Sequence, residues 1–384
     1  MKAKKLWTLF FVLCLPAPAF SAGKMHFEAL QIHPFVSVQE TYNDNVFAVA
    51  NDTVHDWITT ITPGIQLSLP YGKHFFSVDY KAVFNKYSNY SSEDTTDHYA
   101  NAMADLKIGS QFGLKLSDAY TNGHEPRASS TSGQIEKFEK NAAAIAATYQ
   151  LANRSKVQVD YTRASWNFMV SDYRDRQEDL VSTYLYYRFL PRTSAFIEYD
   201  FRNYTYDQKV NGLDSKVNIA LLGLTWEMSA ITKGTIKAGY LDKRFDAAGK
   251  DGIQSWTAAV DVSHAFSDYS SIKLVGMRDV NESSALGARY YITTGASAQY
   301  THKLSAKISG VARISYGIDD YSNAIGTDTV ARKDKTIFGG VGLKYQMKNW
   351  LEFALDYDHV NRDSNIAGHD LVQNTYSFTV NIAL

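Results

Sequence analysis

Cysteine is almost missing from this chain: Cys14 is the only one in 384 residues. Disulfide staples are therefore excluded, and multi-cysteine metal chemistry with them. Proline is scarce as well, with seven residues. Beyond residue 22 the sequence has no apolar run of about 18 residues, which excludes a helical membrane protein. Excess charge is also lacking. Lys plus Arg number 39 against 40 Asp plus Glu, a formal net charge of −1, which rules out the basic surface of a nucleic-acid-binding protein. There is no Pro/Gly/Ser-rich linker, no charge block and no Gly-rich phosphate loop. The ten histidines are scattered without metal-ligand spacing, so no metal or cofactor site is expected.

The chain opens with a cationic stretch (Lys2, Lys4, Lys5), a short apolar core from Leu6 to Leu15, and small residues at Ala19 and Ser21. This pattern predicts a Sec signal peptide over residues 1–22, cleaved after Ser21 or Ala22. Cys14 is followed by Leu15, not by the small residue of a lipoprotein site, so no lipid anchor is expected. Cleavage removes that cysteine and three lysines, which takes the formal charge from −1 to −4. A short periplasmic segment over 23–33 and a single barrel domain over 34–384 would follow.

What the mature chain has in abundance is tyrosine, 26 residues, and two-residue periodicity. Phe76, Val78, Tyr80, Ala82 and Phe84 alternate with Ser77, Asp79, Lys81 and Asn85. Ala195, Ile197, Tyr199 and Phe201 alternate with Glu198, Asp200 and Arg202. Leu351, Phe353, Leu355 and Tyr357 alternate with Glu352, Asp356 and Asp358. The last nine residues place Tyr376, Phe378, Val380, Ile382 and Leu384 on one face, with Ser377, Thr379 and Asn381 on the other. One apolar face and one polar face at period two describe a transmembrane barrel strand. Tight turns near residues 71–73, 109–111, 191–193 and 302–303 alternate with longer polar stretches at 122–136, 282–287 and 319–334.

Together these features predict an all-β fold: a transmembrane antiparallel up-and-down β-barrel of about eighteen strands, with sixteen as the alternative, and no plug domain. Residues 217–228 are ambiguous, because Leu221 and Leu222 break the alternation and suggest a bulge. The last strand should close the barrel against the first, around residues 35–42. Trp57, Trp166 and Trp256 fall near expected extracellular strand ends, and Trp226 and Trp350 near periplasmic ends. Such placement suits indole rings at the membrane interface.

A barrel this wide encloses an aqueous channel. The alternation assigns Asp79, Lys81, Lys107, Tyr184, Tyr186, Arg188, Glu198, Asp200, Arg202, Lys307, Arg313, Lys344, Glu352 and Asp356 to its inner face. Paired wall charges that keep the lumen wet are one reading of this set. A permeation path of weak ion selectivity is the other. Tyr184 and Tyr186 either stack on sugars or pack on neighbouring inward groups. Catalysis is not expected: of the histidines that adjoin an acid, Asp358-His359 and His369-Asp370 are the pairs worth naming, and no Ser/His/acid set accompanies them.

On the first strand lies Glu40-Thr41-Tyr42-Asn43-Asp44-Asn45-Val46-Phe47, where Asn and Asp mark the turn into the first extracellular loop. This segment resembles the opening of the putative β-barrel porin 2 family, whose members include barrels similar to the EpsL-like and VpsM-like exopolysaccharide-secretion proteins. The resemblance implies a hydrated conduit in the bacterial outer membrane, in contact with lipid and lipopolysaccharide and folded by the barrel assembly machinery. It also implies a periplasmic polysaccharide-export protein as partner. Export of an exopolysaccharide is therefore the leading expectation. The alternatives are a diffusion porin for small polar solutes and a non-transport barrel acting as adhesin or scaffold.

Overall fold

The computed structural model describes residues 25–384, apart from residues 28 and 126 and the segments 128–134, 210–211, 228–230, 284–287 and 325–328. The expected signal peptide over 1–22 lies outside the described residues. A short strand, β1 (Met25–Phe27), pairs with the base of β2 (Leu30–Asn43). The barrel wall therefore begins at Leu30, ahead of the expected start at 34. Pro34 lies within β2 opposite Ile65 of β3, at the very end of the seam, where its carbonyl accepts the Leu384 N–H at 3.0 Å; proline is tolerated at such a ladder end.

Eighteen strands form the wall. After β2 come β3 (Asp56–Tyr71), β4 (His74–Tyr87), β5 (Thr95–Ile108), β6 (Phe112–Glu125), β7 (Glu136–Ala152), β8 (Ser155–Phe168), β9 (Arg176–Leu190) and β10 (Thr193–Tyr206). The second half comprises β11 (Ser215–Glu227), β12 (Thr232–Phe245), β13 (Ile253–Ala265), β14 (Ser270–Glu282), β15 (Tyr290–Lys303), β16 (Ile308–Ala324), β17 (Ala331–Lys348), β18 (Leu351–Ser364) and β19 (Leu371–Ala383). Each strand pairs antiparallel with its sequence neighbours, and β19 closes on β2 from Thr375↔Asn43 to Ala383↔Phe35. Closure gives every wall strand a partner on both sides, which lipid requires because it cannot hydrogen-bond a bare backbone. No helix among the described residues is long and apolar enough to cross a membrane, and none fills the barrel as a plug.

Short turns connect the strands at the end carrying the termini. Gly72 sits in one of them at φ +59°, a conformation that glycine adopts without steric penalty. Longer loops lie at the other end, where short 3-10 turns form at Ser91–Glu93 and Asp172–Arg174. These loops are knit together. Arg127 forms a bidentate pair with Glu93 (both 2.6 Å) and lies over the Phe47 ring. That pairing pushes the Arg127 guanidinium pKa up. Arg174 forms a second bidentate pair with Glu125 (2.9 and 2.7 Å).

The region from Val217 to Trp226 is a regular strand without a bulge. Its two faces are both apolar because both are covered, for a reason set out below.

Candidate functional site

Residues paired across an antiparallel ladder share a face, so one exposed aromatic fixes the sense of a whole row. Tyr42, Trp57, Tyr357 and Tyr376 point outward as one aromatic group, with Tyr376 paired to both Tyr42 and Tyr357, and Tyr42 paired to Trp57. The same register places Ser377, Thr379 and Asn381 toward the lumen.

Most of the expected lining residues stand on inward positions, and most are neutralised there. In β4, Asp79 and Lys81 face inward, and Lys81 lies 4.7 Å over the Tyr99 ring. Lys107 pairs with Asp105 at 2.7 Å. Tyr184 and Tyr186 stack with ring centroids 5.8 Å apart, and Lys156 caps Tyr186 at 4.1 Å. Of the two readings for these tyrosines, packing on inward neighbours describes their surroundings. Arg188 donates to the Asn153 carbonyl in the adjoining turn. Glu198 binds Lys237 through both oxygens (2.7 and 2.8 Å). Arg313 bridges Asp356 and Asp358 at 2.8 and 3.0 Å, and Lys344 lies 3.9 Å from Glu352. Lys307 departs from this pattern, since it lies in the turn before β16 and not on the wall.

Arg313 reaches its partners across β17 because Gly340 and Gly342 leave room. A Cβ on Gly340 would lie 2.1 Å from Asp358 Oδ1, and one on Gly342 would lie 2.3 Å from Asp356 Oδ1. The sequence placed Trp166 at the membrane interface, but it turns inward. It stacks on Phe168 and is flanked by Lys140 (4.2 Å) and Arg176 (5.1 Å) over its ring. Outward positions of β8 belong to its odd-numbered residues, such as Val159 and Tyr161. Asp358 and His359 occupy opposite faces, one on Arg313 and the other on Asn374.

The decisive feature lies elsewhere. The β13–β14 ladder runs from Ala265↔Ser271 only as far as Ala258↔Arg278. Beyond that point the end of the β14–β15 hairpin parts from β13 and leans into the lumen, while β15 keeps its pairing with β16 as far as Tyr291↔Tyr321. Val280 is buried against Val217, Ile219, Leu221 and Leu241, all inward residues of β11 and β12, with Tyr290 and Ile292 packed on the same cluster. Asp279 binds Arg202 of β10 at 3.1 Å. Glu282 binds Lys243 of β12 and accepts the Tyr206 hydroxyl at 2.7 Å. Along the wall, β10 and β14 are four spacings apart, roughly 19 Å. Side chains do not span that distance around the wall, so the hairpin must cross inside. Loop segments 122–136 and 319–334 lie partly outside the described residues; among the described residues the inward element is the end of β14–β15.

The family model described as Putative beta-barrel porin 2 matches residues 30–384. The chain belongs to that family. Among solved structures, this family member is similar to Pseudomonas aeruginosa OccK1 (OpdK), with TM-score 0.51 and 12% identity over 92% of this chain and 99% of that one. It is also similar to Pseudomonas aeruginosa OccK2 (OpdF), with TM-score 0.52 and 8% identity over 92% and 98% of the two chains. At these identities the likeness is one of fold. No curated protein matches the chain in sequence. The porin is a bacterial outer-membrane barrel. The expectation of exopolysaccharide export is corrected: the family matched is one of porins, the fold neighbours are OccK barrels, and the wide conduit is narrowed by a hairpin.

Proposed function

We propose that this porin is a diffusion channel for small polar solutes across the outer membrane. The observation that carries the reading is the inward β14–β15 hairpin, which narrows an otherwise unplugged barrel. A constricted aqueous path admits solutes by size and polarity, whereas a polymer conduit calls for an unobstructed bore. Wall charges of both signs, mostly paired, favour weak ion selectivity. The residues on this wall bind and orient permeating solutes and carry no chemistry. Assembly would proceed through the barrel assembly machinery, reading the amphipathic β19. Diffusion requires no periplasmic export partner.

The test is reconstitution of the folded protein into planar bilayers, paired with liposome swelling in a series of sugars and amino acids. Discrete ohmic steps, with swelling rates falling steeply as solute size grows, are expected. A barrel that conducts no ions and swells liposomes no faster than protein-free controls would overturn the proposal.

A further inference from the structure

The β13–β14 seam stops short while the strands beside it go on. β12 stays paired with β13 up to Lys243↔Ile253, and β14 with β15 up to Glu282↔Tyr290. Residues 253–257 of β13 and 279–282 of β14 are therefore strand, yet they face each other across a seam that has ended at Ala258↔Arg278. The bare β13 edge borders lipid, since Trp256 is 57% exposed on the outward face and pairs with the outward Tyr240. Lipid offers such an edge no hydrogen bonds. The parted strands stay tethered at both ends of the break. At its foot the Thr257 hydroxyl donates to the Arg278 carbonyl at 2.6 Å, and Arg278 Nη2 reaches Ser255 Oγ at 3.4 Å. At its head Arg289 donates to the Asp251 carbonyl at 3.0 Å.

Carried past Ala258↔Arg278, the same register sets Thr257 against Asp279, Trp256 against Val280, Ser255 against Asn281 and Gln254 against Glu282. In that register Val280 and its β15 partner Ile292 would face outward beside Trp256, with Asp279, Asn281 and Thr293 facing the lumen. The hairpin end thus carries the two-sided pattern of a lipid-facing strand pair. In the observed arrangement its apolar side is instead turned onto Val217, Ile219, Leu221 and Leu241. The ladder row next to the break is poor in side chains: Gly276 precedes Met277 on β14, and Gly295 of β15 lies opposite both Met277 and Gly317 of β16. Glycines inside strands weaken a sheet locally and mark bends.

We propose that the end of the β14–β15 hairpin is a gate with two seats: the inward seat, and a wall seat in which β14 zips onto β13 in the continued register. The gate rests on the diffusion-channel reading and regulates that channel. Val280 in its apolar cluster and the pairs Lys243–Glu282 and Arg202–Asp279 hold the inward seat. The wall seat gives up those contacts, gains the missing ladder hydrogen bonds and clears the bore. Pairing of β15 with β16 is kept in both, so the hairpin swings on that ladder. Two discrete packings of one element, biased by few contacts, are what a switch requires.

The experiment places cysteine pairs in the full protein, whose one native cysteine is Cys14, and reconstitutes it in planar bilayers. Heat-modifiable gel migration confirms the fold of each variant, and peptide mass spectrometry reads each disulfide. Ala259→Cys/Met277→Cys, an existing rung, should cross-link and leave conductance unchanged. Ser255→Cys/Asn281→Cys should also cross-link, and the oxidised channel should conduct about twofold more than the reduced one, because a layer roughly 10 Å thick leaves the bore. Gln254→Cys/Glu282→Cys, the next rung, is the second test and should cross-link faster, since it also removes the partner of Lys243. Gln254→Cys/Asn281→Cys, out of register, should not cross-link. The gate is overturned if both new rungs fail to cross-link while the existing one does, or if the out-of-register pair cross-links equally; wild-type ohmic steps then leave the channel reading intact. A cross-linked Ser255→Cys/Asn281→Cys barrel that conducts no better than its reduced form overturns the gate as well. Absence of conductance in every variant, with the disulfides formed, overturns the channel reading and the gate with it.

Discussion

Asp44 and Asn374 lie 330 residues apart in sequence and lock the top of the barrel seam. Asp44 Oδ1 accepts the Asn374 backbone N–H at 2.7 Å, and Oδ2 accepts the Asn374 side-chain amide at 2.6 Å. Their neighbours extend the lock. Gln373 donates to Asn43 Oδ1 (3.1 Å) and to the Asn45 carbonyl (2.8 Å), and the fully buried Asn45 donates to the Val372 carbonyl at 3.0 Å. The Tyr-Asn-Asp-Asn-Val-Phe segment therefore has a mechanical role in holding the first strand to the last where the chain leaves the membrane.

Removing Asp44 leaves the Asn374 donors without their charged acceptor. Hydrogen bonds to charged groups contribute roughly 1.5–3 kcal/mol each. Asp44→Ala is expected to lower the temperature at which the barrel loses heat-modifiable gel migration, whereas Thr53→Ala, exposed in the same loop, should leave it unchanged. Equal behaviour of the two variants would remove the seam role.

The hairpin should be held by its buried ion pair. Lys243 is 1% exposed and Glu282 sits against it inside the lumen. Removing one partner of a buried pair costs about 3–5 kcal/mol, while replacing both by apolar groups of similar volume is often neutral. Glu282→Ala is therefore expected to release the hairpin and raise single-channel conductance. Lys243→Met/Glu282→Leu should conduct like the wild type. A double variant as open as the single one would show that the charges themselves, not the packing, close the channel.

Legibility in the sequence followed the range of the interactions. Strand number, seam and the inward sense of Asp79, Glu198, Arg313 and Asp356 rest on the two-residue period, a local property, and are readable from it. The seam agrees in register, with Val380 opposite Val38. The inward hairpin depends on Val280 meeting Val217 and Leu241, strands away, and no local pattern states that contact. Its trace was present all the same. Val217, Ile219 and Leu221 are apolar on the inward face while Leu222 and Leu224 are apolar on the outward one, a doubly covered strand that resembles a bulge when read alone. Trp166 was misplaced for a simpler reason: tryptophan near a strand end suggests the interface, but its even position in β8 sets it inside with Phe168.

Gly340 and Gly342 are expected to be intolerant of side chains, even though neither needs an unusual backbone. A methyl at Gly340 would overlap Asp358 and crowd Arg313 Nε at 3.1 Å. Gly340→Ala should thus separate Asp358 from Arg313 and destabilise the barrel by about 1–3 kcal/mol, as overpacking does. Gly339→Ala, where a Cβ meets open space, is the matched control, and urea unfolding of the two in the same lipid or detergent decides the matter.

Arg313 should set the sign of the channel's weak selectivity. Among the described residues it is the one cation bridging Asp356 and Asp358, so Arg313→Gln takes the bridging partner from two wall carboxylates. Rings of uncompensated acid favour cations. The reversal potential measured across a potassium chloride gradient should shift toward cation preference in Arg313→Gln and return when Asp356→Asn is added. The effect should shrink at high salt, because at about 1 M the screening length falls to roughly 3 Å. A reversal potential unmoved by Arg313→Gln at low salt would mean that permeating ions do not pass within reach of this wall, and would place the conducting path against the opposite strands.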